Sequence, residues 1–192
     1  MSEDLPTGAT PIDLGEAEGL IPDHVVTRGE LDELEEANIQ EGLEWALARS
    51  RDVLSEKFVY ELHRRMFDSV WAWAGKVRLT DKNIGIDKHM VRTEVRKLID
   101  DAIYWRENQV YESDELAVRF HHRLVSIHPF PNGNGRHARL MADLLVRQLG
   151  GERFSWGGVS LSSTSELRTA YIRALQIADQ GDIGPLLDFA RS

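Results

Sequence analysis

The sequence predicts an all-α fold carrying one small β-hairpin. Three observations carry that expectation. Apolar residues recur at three- and four-residue steps through most of the chain after Thr27. Capping residues stand just ahead of several of those runs. Only residues 76–92 break the period, with an alternation that suits short strands. Thr27 precedes Glu30 by three residues, the capping-box spacing, and opens a helix with Leu31, Leu34, Ile39, Leu43, Ala46 and Leu47 inward. A second helix follows Ser55, with Phe58, Val59, Leu62, Met66 and Phe67 on one stripe, and Trp71, Trp73 and Ala74 add bulky core material. Val77, Leu79, Ile84 and Ile86 around the turn Asp81-Lys82-Asn83 read as the hairpin. Helices resume near Thr93, near Ser113, after Gly135, at Ser165 and at Pro185, and Gly150-Gly151 stops the third of these.

The chain has 192 residues, enough for one domain with a real core. Residues 1–28 hold Pro6, Gly8, Pro11, Gly15, Gly19 and Pro22 and read as an extended arm. Ile12, Leu14, Leu20 and Ile21 would anchor that arm on the body formed by residues 29–192. Lys and Arg number 23 and Asp and Glu 32, for a net charge of −9. An acidic chain lacks the cationic face that grips nucleic acid or an anionic membrane without regard to sequence, so neither partner is expected. The absence of cysteine removes disulfides, thiolate catalysis and cysteine-held zinc. No apolar run approaches the roughly 20 residues of a membrane span. The acidic start, Met1 to Gly8, does not look like a secretory signal, and a cytoplasmic location is expected.

Chemistry concentrates in Ile127 to Arg139, I-H-P-F-P-N-G-N-G-R-H-A-R. Two glycines flank Asn134 where a helix begins, so backbone N–H groups and the helix dipole can meet an anion. Arg136 and Arg139 stand three apart and project from one side of that helix. His128 enters from the preceding helix and is the local group able to move a proton near neutrality. Together these residue types propose phosphate-ester chemistry with histidine as base. An ordinary helix–loop–helix turn, with glycines for geometry and arginines in surface pairs, uses the same residues. His63, His121, His122 and His137 lack the spacing of a zinc motif and read as packing residues.

The stretch resembles the signature of the Fic (filamentation induced by cAMP) family, H-x-F-x-[D/E]-G-N-G-R-x-x-R. His128, Phe130, Gly133, Asn134, Gly135, Arg136 and Arg139 fall on its fixed positions. Leu62-His63, Ala74-Gly75-Lys76-Val77-Arg78, Tyr171 with Ala174-Leu175, and Gly181-Asp182 with Pro185-Leu186 extend the likeness over residues 55–190. With Glu18-Gly-Leu-Ile-Pro22 and Asp81-Lys-Asn-Ile-Gly85, the chain is similar to the subgroup called mobile mystery protein B.

The resemblance implies a Fic-type helical bundle with the hairpin as a flap. It implies transfer of AMP from ATP to a Ser, Thr or Tyr hydroxyl of a target protein, with His128 as base. The backbone of Gly133, Asn134 and Gly135 would stabilise the phosphates, Arg136 would bind the β- and γ-phosphates, and Arg139 would hold the γ-phosphate. Ile84, Gly85 and Ile86 would be the flap edge that pairs with the target backbone. Asn132 departs from the pattern: the family's Asp or Glu there binds Mg²⁺, and a neutral carboxamide is a weaker ligand. Ala37-Asn-Ile-Gln-Glu41-Gly42 resembles the family's inhibitory motif [S/T]-x-x-x-E-[G/N] without its hydroxyl residue, which makes Glu41 the candidate brake on Arg139. Glu33, Glu35, Glu36 and Glu44 on the same helix read as a solvated face. Phosphate transfer, as in a related toxin, and an idle nucleotide- or partner-binding module are the alternative activities. Toxin–antitoxin members of the family imply an antitoxin-like or mobile-element-encoded partner.

Overall fold

A computed structural model describes residues 14–158 and 164–192. Pro6, Gly8, Pro11 and Ile12 of the arm lie outside the described residues. Eight α-helices are present among the described residues: α1 Leu14–Ala17, α2 Arg28–Leu47, α3 Glu56–Phe67, α4 Val91–Glu107, α5 Ser113–Ile127, α6 Asn134–Gln148, α7 Thr164–Asp179 and α8 Gly184–Arg191. Local chemistry sets their starts. Thr27 Oγ1 accepts from the Glu30 amide at 3.2 Å while Glu30 Oε2 accepts from the Thr27 amide at 2.9 Å, which completes the capping box of α2. Ser55 Oγ accepts from the Phe58 amide at 3.2 Å and starts α3. Asp87 caps a 3-10 turn over Lys88–Met90 that runs straight into α4, so that helix begins before Thr93.

Helix α6 is the buried axis. Ala138, Met141, Ala142, Leu145 and Val146 are fully shielded, and α5 packs along it with Ala117, Val118, Phe120 and Ile127 equally buried. Helix α2 lies on α3, and its most buried line is polar and small: Glu35, Asn38, Gly42 and Ala46. Leu31, Leu34, Ile39 and Leu43 are only partly covered, and Leu47 is exposed. Asn38 explains why a polar residue faces inward. Its Nδ2 donates to Arg65 O at 3.2 Å and its Oδ1 accepts from Ser69 N at 3.0 Å, satisfying the backbone at the end of α3. The described part of the arm lies on the body, where Ile21 N donates to Val70 O at 2.9 Å and Ala72 N to Gly19 O at 2.8 Å.

The β-hairpin expected at residues 76–92 does not form. Among the described residues there is no strand, and one isolated antiparallel bridge joins Leu20 to Trp71. The carbonyls a hairpin would pair are taken by a side chain instead. Arg78 Nη1 donates to Thr80 O at 2.8 Å and Nη2 donates to Ile86 O, so both limbs of the segment close on one guanidinium.

Gly42 sits where α2 crosses α3. A Cβ there would come within 2.9 Å of Met66 Cγ and 3.0 Å of the Met66 backbone. Gly42→Ala raises helix propensity by about 1 kcal/mol. Overpacking against a backbone costs about 1–3 kcal/mol. The variant is therefore expected to unfold at lower urea concentration than the parent, and a higher midpoint would contradict this packing.

Candidate active site

The last residue of the α5 run sets the site. His128 takes left-handed backbone angles, φ 55 and ψ 62, and so ends the helix and turns the chain. That conformation costs about 1–2 kcal/mol for a residue with a side chain. Two bonds hold it: His128 N donates to Leu124 O at 3.2 Å, and His128 O accepts from Arg78 Nε at 2.7 Å. Arg78 N also donates to Pro129 O at 3.0 Å. The imidazole is 5% exposed. Its Nδ1 lies 3.3 Å from Val125 O, an atom that can only accept, so Nδ1 carries the hydrogen and Nε2 the lone pair. Burial pushes the pKa of this histidine down to about 4, helped by the charges of Arg78 and Lys82 and opposed by the Val125 bond. His128 is thus neutral at pH 7.

Residues 129–133 carry the chain into α6 over an aromatic floor. Phe130 is fully buried, with His63 stacked on it at 3.6 Å and His137 edge-on at 5.1 Å. Gly75 N donates to His63 Nδ1 at 3.0 Å, so the opposite nitrogen carries the hydrogen and donates to Asn132 O at 3.0 Å. Burial holds His63 well below the ordinary histidine range, which fixes this neutral form. Gly133 has φ +76, and a Cβ on it would lie 2.6 Å from the Phe67 ring. Both conditions demand glycine. Gly135 differs, since nothing lies within 4 Å of where its Cβ would be.

The backbone donors at the head of α6 divide unevenly. Gly133 N donates to Asn132 Oδ1 at 2.6 Å and is spent inside the loop. The Asn134 side chain is spent too: Oδ1 accepts from Phe130 N and Nδ2 donates to Phe130 O, both at 2.9 Å. His137 N, bonded to Gly133 O at 2.9 Å, is the first amide with its acceptor in the new helix. The amides of Asn134, Gly135 and Arg136 precede it at the positive end of the helix dipole. Arg136 lies 5.0 Å over the Phe67 ring and donates from Nη1 to Glu35 Oε2 at 2.6 Å. The other oxygen of Glu35 accepts from Trp71 Nε1 at 2.7 Å. Arg139 lies 5.5 Å over the Tyr171 ring, whose hydroxyl meets His121 Nε2 at 3.0 Å.

Residues 53–146 match the Fic/DOC family. The chain carries a Fic/DOC family domain. The chain is 29% identical over 147 residues to a protein adenylyltransferase, fic-1 of Caenorhabditis elegans, with 74% of this chain covered. The match spans 28% of that relative, so the chain corresponds to about a quarter of its length. The solved structure of C. elegans Fic-1 (residues 134–508 of that protein) superposes with a TM-score of 0.66 at 23% identity, covering 91% of this chain and 51% of that one. BepC of Bartonella tribocorum, solved with bound AMPPNP, gives 0.69 at 17% identity, covering 92% and 95%. These structures share the fold.

Several residues foreseen for a Fic domain are brought together by this fold. His128, the head of α6 and the segment holding Ile84, Gly85 and Ile86 adjoin, because a Cβ on Gly85 would lie 2.7 Å from His128 Cβ. Gly85 has φ +107, so both its conformation and this close approach require glycine. Ile84 is partly exposed and Ile86 partly buried. Glu41 is not brought to Arg139. It is exposed and accepts from Asn38 Nδ2 at 3.3 Å. The α2 carboxylate that meets a signature arginine is Glu35, and it meets Arg136. Glu35 falls three before Asn38 and seven before Gly42, but only the packing of α2 shows that these residues share its buried line.

The contrast between two glycines is testable. Gly135→Ala should fold at least as stably as the parent, because alanine is the better helix former and has room. With the phosphates placed as the Fic resemblance implies, it should nonetheless bind ATP at least tenfold more weakly, the added methyl standing between phosphate and amides. Gly133→Ala should lose about 2 kcal/mol or more of stability through backbone strain and the clash with Phe67. Melting curves and calorimetric titration with ATP read both effects. Unchanged ATP affinity in Gly135→Ala would contradict the placement of the phosphates.

Proposed function

We propose that the chain transfers AMP from ATP to a hydroxyl group of a protein. The observation that carries this reading is the neutral His128 imidazole, hydrogen on Nδ1 and lone pair on Nε2, set beside a glycine-opened helix start with two arginines. The adenylyltransferase name of the C. elegans relative and the AMPPNP in the BepC structure point to the same nucleotide chemistry.

In this reading the triphosphate lies across the amides of Asn134, Gly135 and Arg136. The Gly133 amide takes no part, because Asn132 already uses it. The Asn134 side chain braces the loop rather than touching nucleotide. Nε2 of His128 takes the proton of the attacking hydroxyl. The hydroxyl oxygen bonds to the α-phosphorus as the bond to the β-phosphate oxygen breaks, and pyrophosphate leaves. Charge building on the phosphates meets the helix dipole and the guanidiniums of Arg136 and Arg139. The segment Ile84 to Ile86 holds the target in register over His128, through backbone that the Arg78 contacts keep in place.

A divalent cation such as Mg²⁺ supplies phosphate charge neutralisation where one is bound. The residues present do not fit a carboxylate-held ion. Asn132 has a neutral oxygen that already accepts from Gly133 N, and among the described residues no cluster of three acidic or imidazole groups is placed to hold one. No step is assigned to the metal. Among the described residues no helix is long and apolar enough to cross a membrane.

Incubation of the chain with cell lysate and ATP labelled at the α- or the γ-phosphorus tests the reading. Protein label is expected from the α position, with a loss of at least 100-fold in His128→Ala, the scale of a missing general base. Label from the γ position alone would replace the proposal with phosphorylation. Nucleotide binding without any label would mark a binding module.

A further inference from the structure

Beside the candidate site, on the outer side of residues 76–79, two depressions of about 460 and 360 Å³ adjoin. Both are lined by Val77, Leu79 and Arg92, so they form one groove between this segment and the start of α4. Neither touches the signature loop.

The chemistry of the groove is unlike the rest of the surface. Its walls carry Lys76, Lys88 and Arg92, and no carboxylate lines either half. Yet the whole chain has nine more acids than bases. On α3 and α4, Glu56 pairs with Arg96, and Glu94 with Lys97 and Arg123. Among the described residues, Lys76, Lys88 and Arg92 form no ion pair. Asp81 is exposed, accepts from the Lys88 amide at 2.9 Å and lies 3.5 Å from Arg78; its charge is also felt by Lys88, without an ion pair. The floor is apolar, and Leu79 stands 83% exposed. Tyr60 lines the same groove, and its hydroxyl is shielded from water with no hydrogen-bond partner.

We propose that this groove docks a short acidic and apolar stretch of a protein, the one that presents its hydroxyl to His128. Carboxylates would pair with Lys76, Lys88 and Arg92, and an apolar side chain would cover Leu79 and Val77. A nucleic acid or an anionic membrane would also answer the three cations. Either is a long polyanion, and the net charge of −9 repels it beyond the groove. A peptide a few residues long matches both the local charge and the apolar floor. Val77 and Leu79 flank Arg78, whose Nε bonds the His128 carbonyl at 2.7 Å, so the docked stretch lies one residue from the arginine that holds the histidine. The identity of the occupant as the modified protein rests on the proposed transfer; the groove's preference for acidic peptide does not.

Fluorescence anisotropy of the full chain with labelled peptides tests the groove. The probes are a Glu-Glu-Leu-Glu-Glu-Ile peptide, its Gln-for-Glu analogue, a duplex oligonucleotide and phosphatidylserine vesicles. The acidic peptide should bind, weaken with salt, and lose at least tenfold affinity in Lys76→Glu with Arg92→Glu and in Leu79→Ser. ATP affinity should stay unchanged in these variants, since they leave the signature untouched. Equal binding of the Gln analogue, binding indifferent to the substitutions, or stronger capture of the oligonucleotide or vesicles would overturn the proposal. Leu79 is exposed enough that Leu79→Ser is expected to fold, which keeps the result readable if charge reversal does not. Peptide binding without α-label in the lysate assay would sink the transfer and leave the groove standing; label without peptide binding would do the reverse.

Discussion

One buried guanidinium holds the working parts of this molecule together. The Arg78 side chain is fully shielded and reaches the carbonyls of His128, Thr80 and Ile86, with the Asp81 carboxylate at 3.5 Å. A hairpin would have spent the Thr80 and Ile86 carbonyls on its own ladder. Here they converge on a planar fork with fixed donor directions, a geometry lysine does not offer. Each carbonyl left without a donor in the interior costs about 1–3 kcal/mol. The segment beside the histidine and the strained turn at the histidine are therefore one unit. Moving either breaks bonds that serve both.

Neutral histidines carry the next layer. His63 joins Gly75 to Asn132 through its two nitrogens, and Phe130 lies flat against it. His137 donates to Val59 O and meets both Phe130 and His63 edge-on. Burial suppresses the charged form of each, so the loop rests on hydrogen bonds of defined direction rather than on ion pairs. The ion pair lies one step further out, where Glu35 of α2 holds Arg136 and Trp71 together. Helix α2 thereby does more than cover α3; it sets the first signature arginine from a position distant in the chain.

Much of this was legible in the sequence. Thr27 with Glu30, and Ser55, announced helix starts because capping is local chemistry. The run from His128 to Arg139 suggested phosphate chemistry, but its residue types also suit an ordinary helix–loop–helix turn, and the resemblance to the Fic signature made the choice. What stayed hidden depended on contacts between distant residues. Alternation of Val77, Leu79, Ile84 and Ile86 satisfies the rule for strands, yet Arg78 sits among them and outcompetes pairing. Glu35 looked like one solvated acid among several, and only the packing of α2 separates it from Glu41. Asn134 reads as part of an anion loop, whereas its side chain closes on Phe130 at both ends. The groove near Arg92 gave no sequence signal, since Lys76, Lys88 and Arg92 belong to segments with different local structure.

The proposed transfer depends on the state of one imidazole. Long-range ¹H–¹⁵N NMR of the His128 ring in the intact chain, followed as pH is lowered, reads that state directly. A hydrogen on Nδ1 at pH 7, with protonation only as pH approaches about 4, is expected. A hydrogen on Nε2, or titration near the ordinary histidine value of about 6.5, would contradict it.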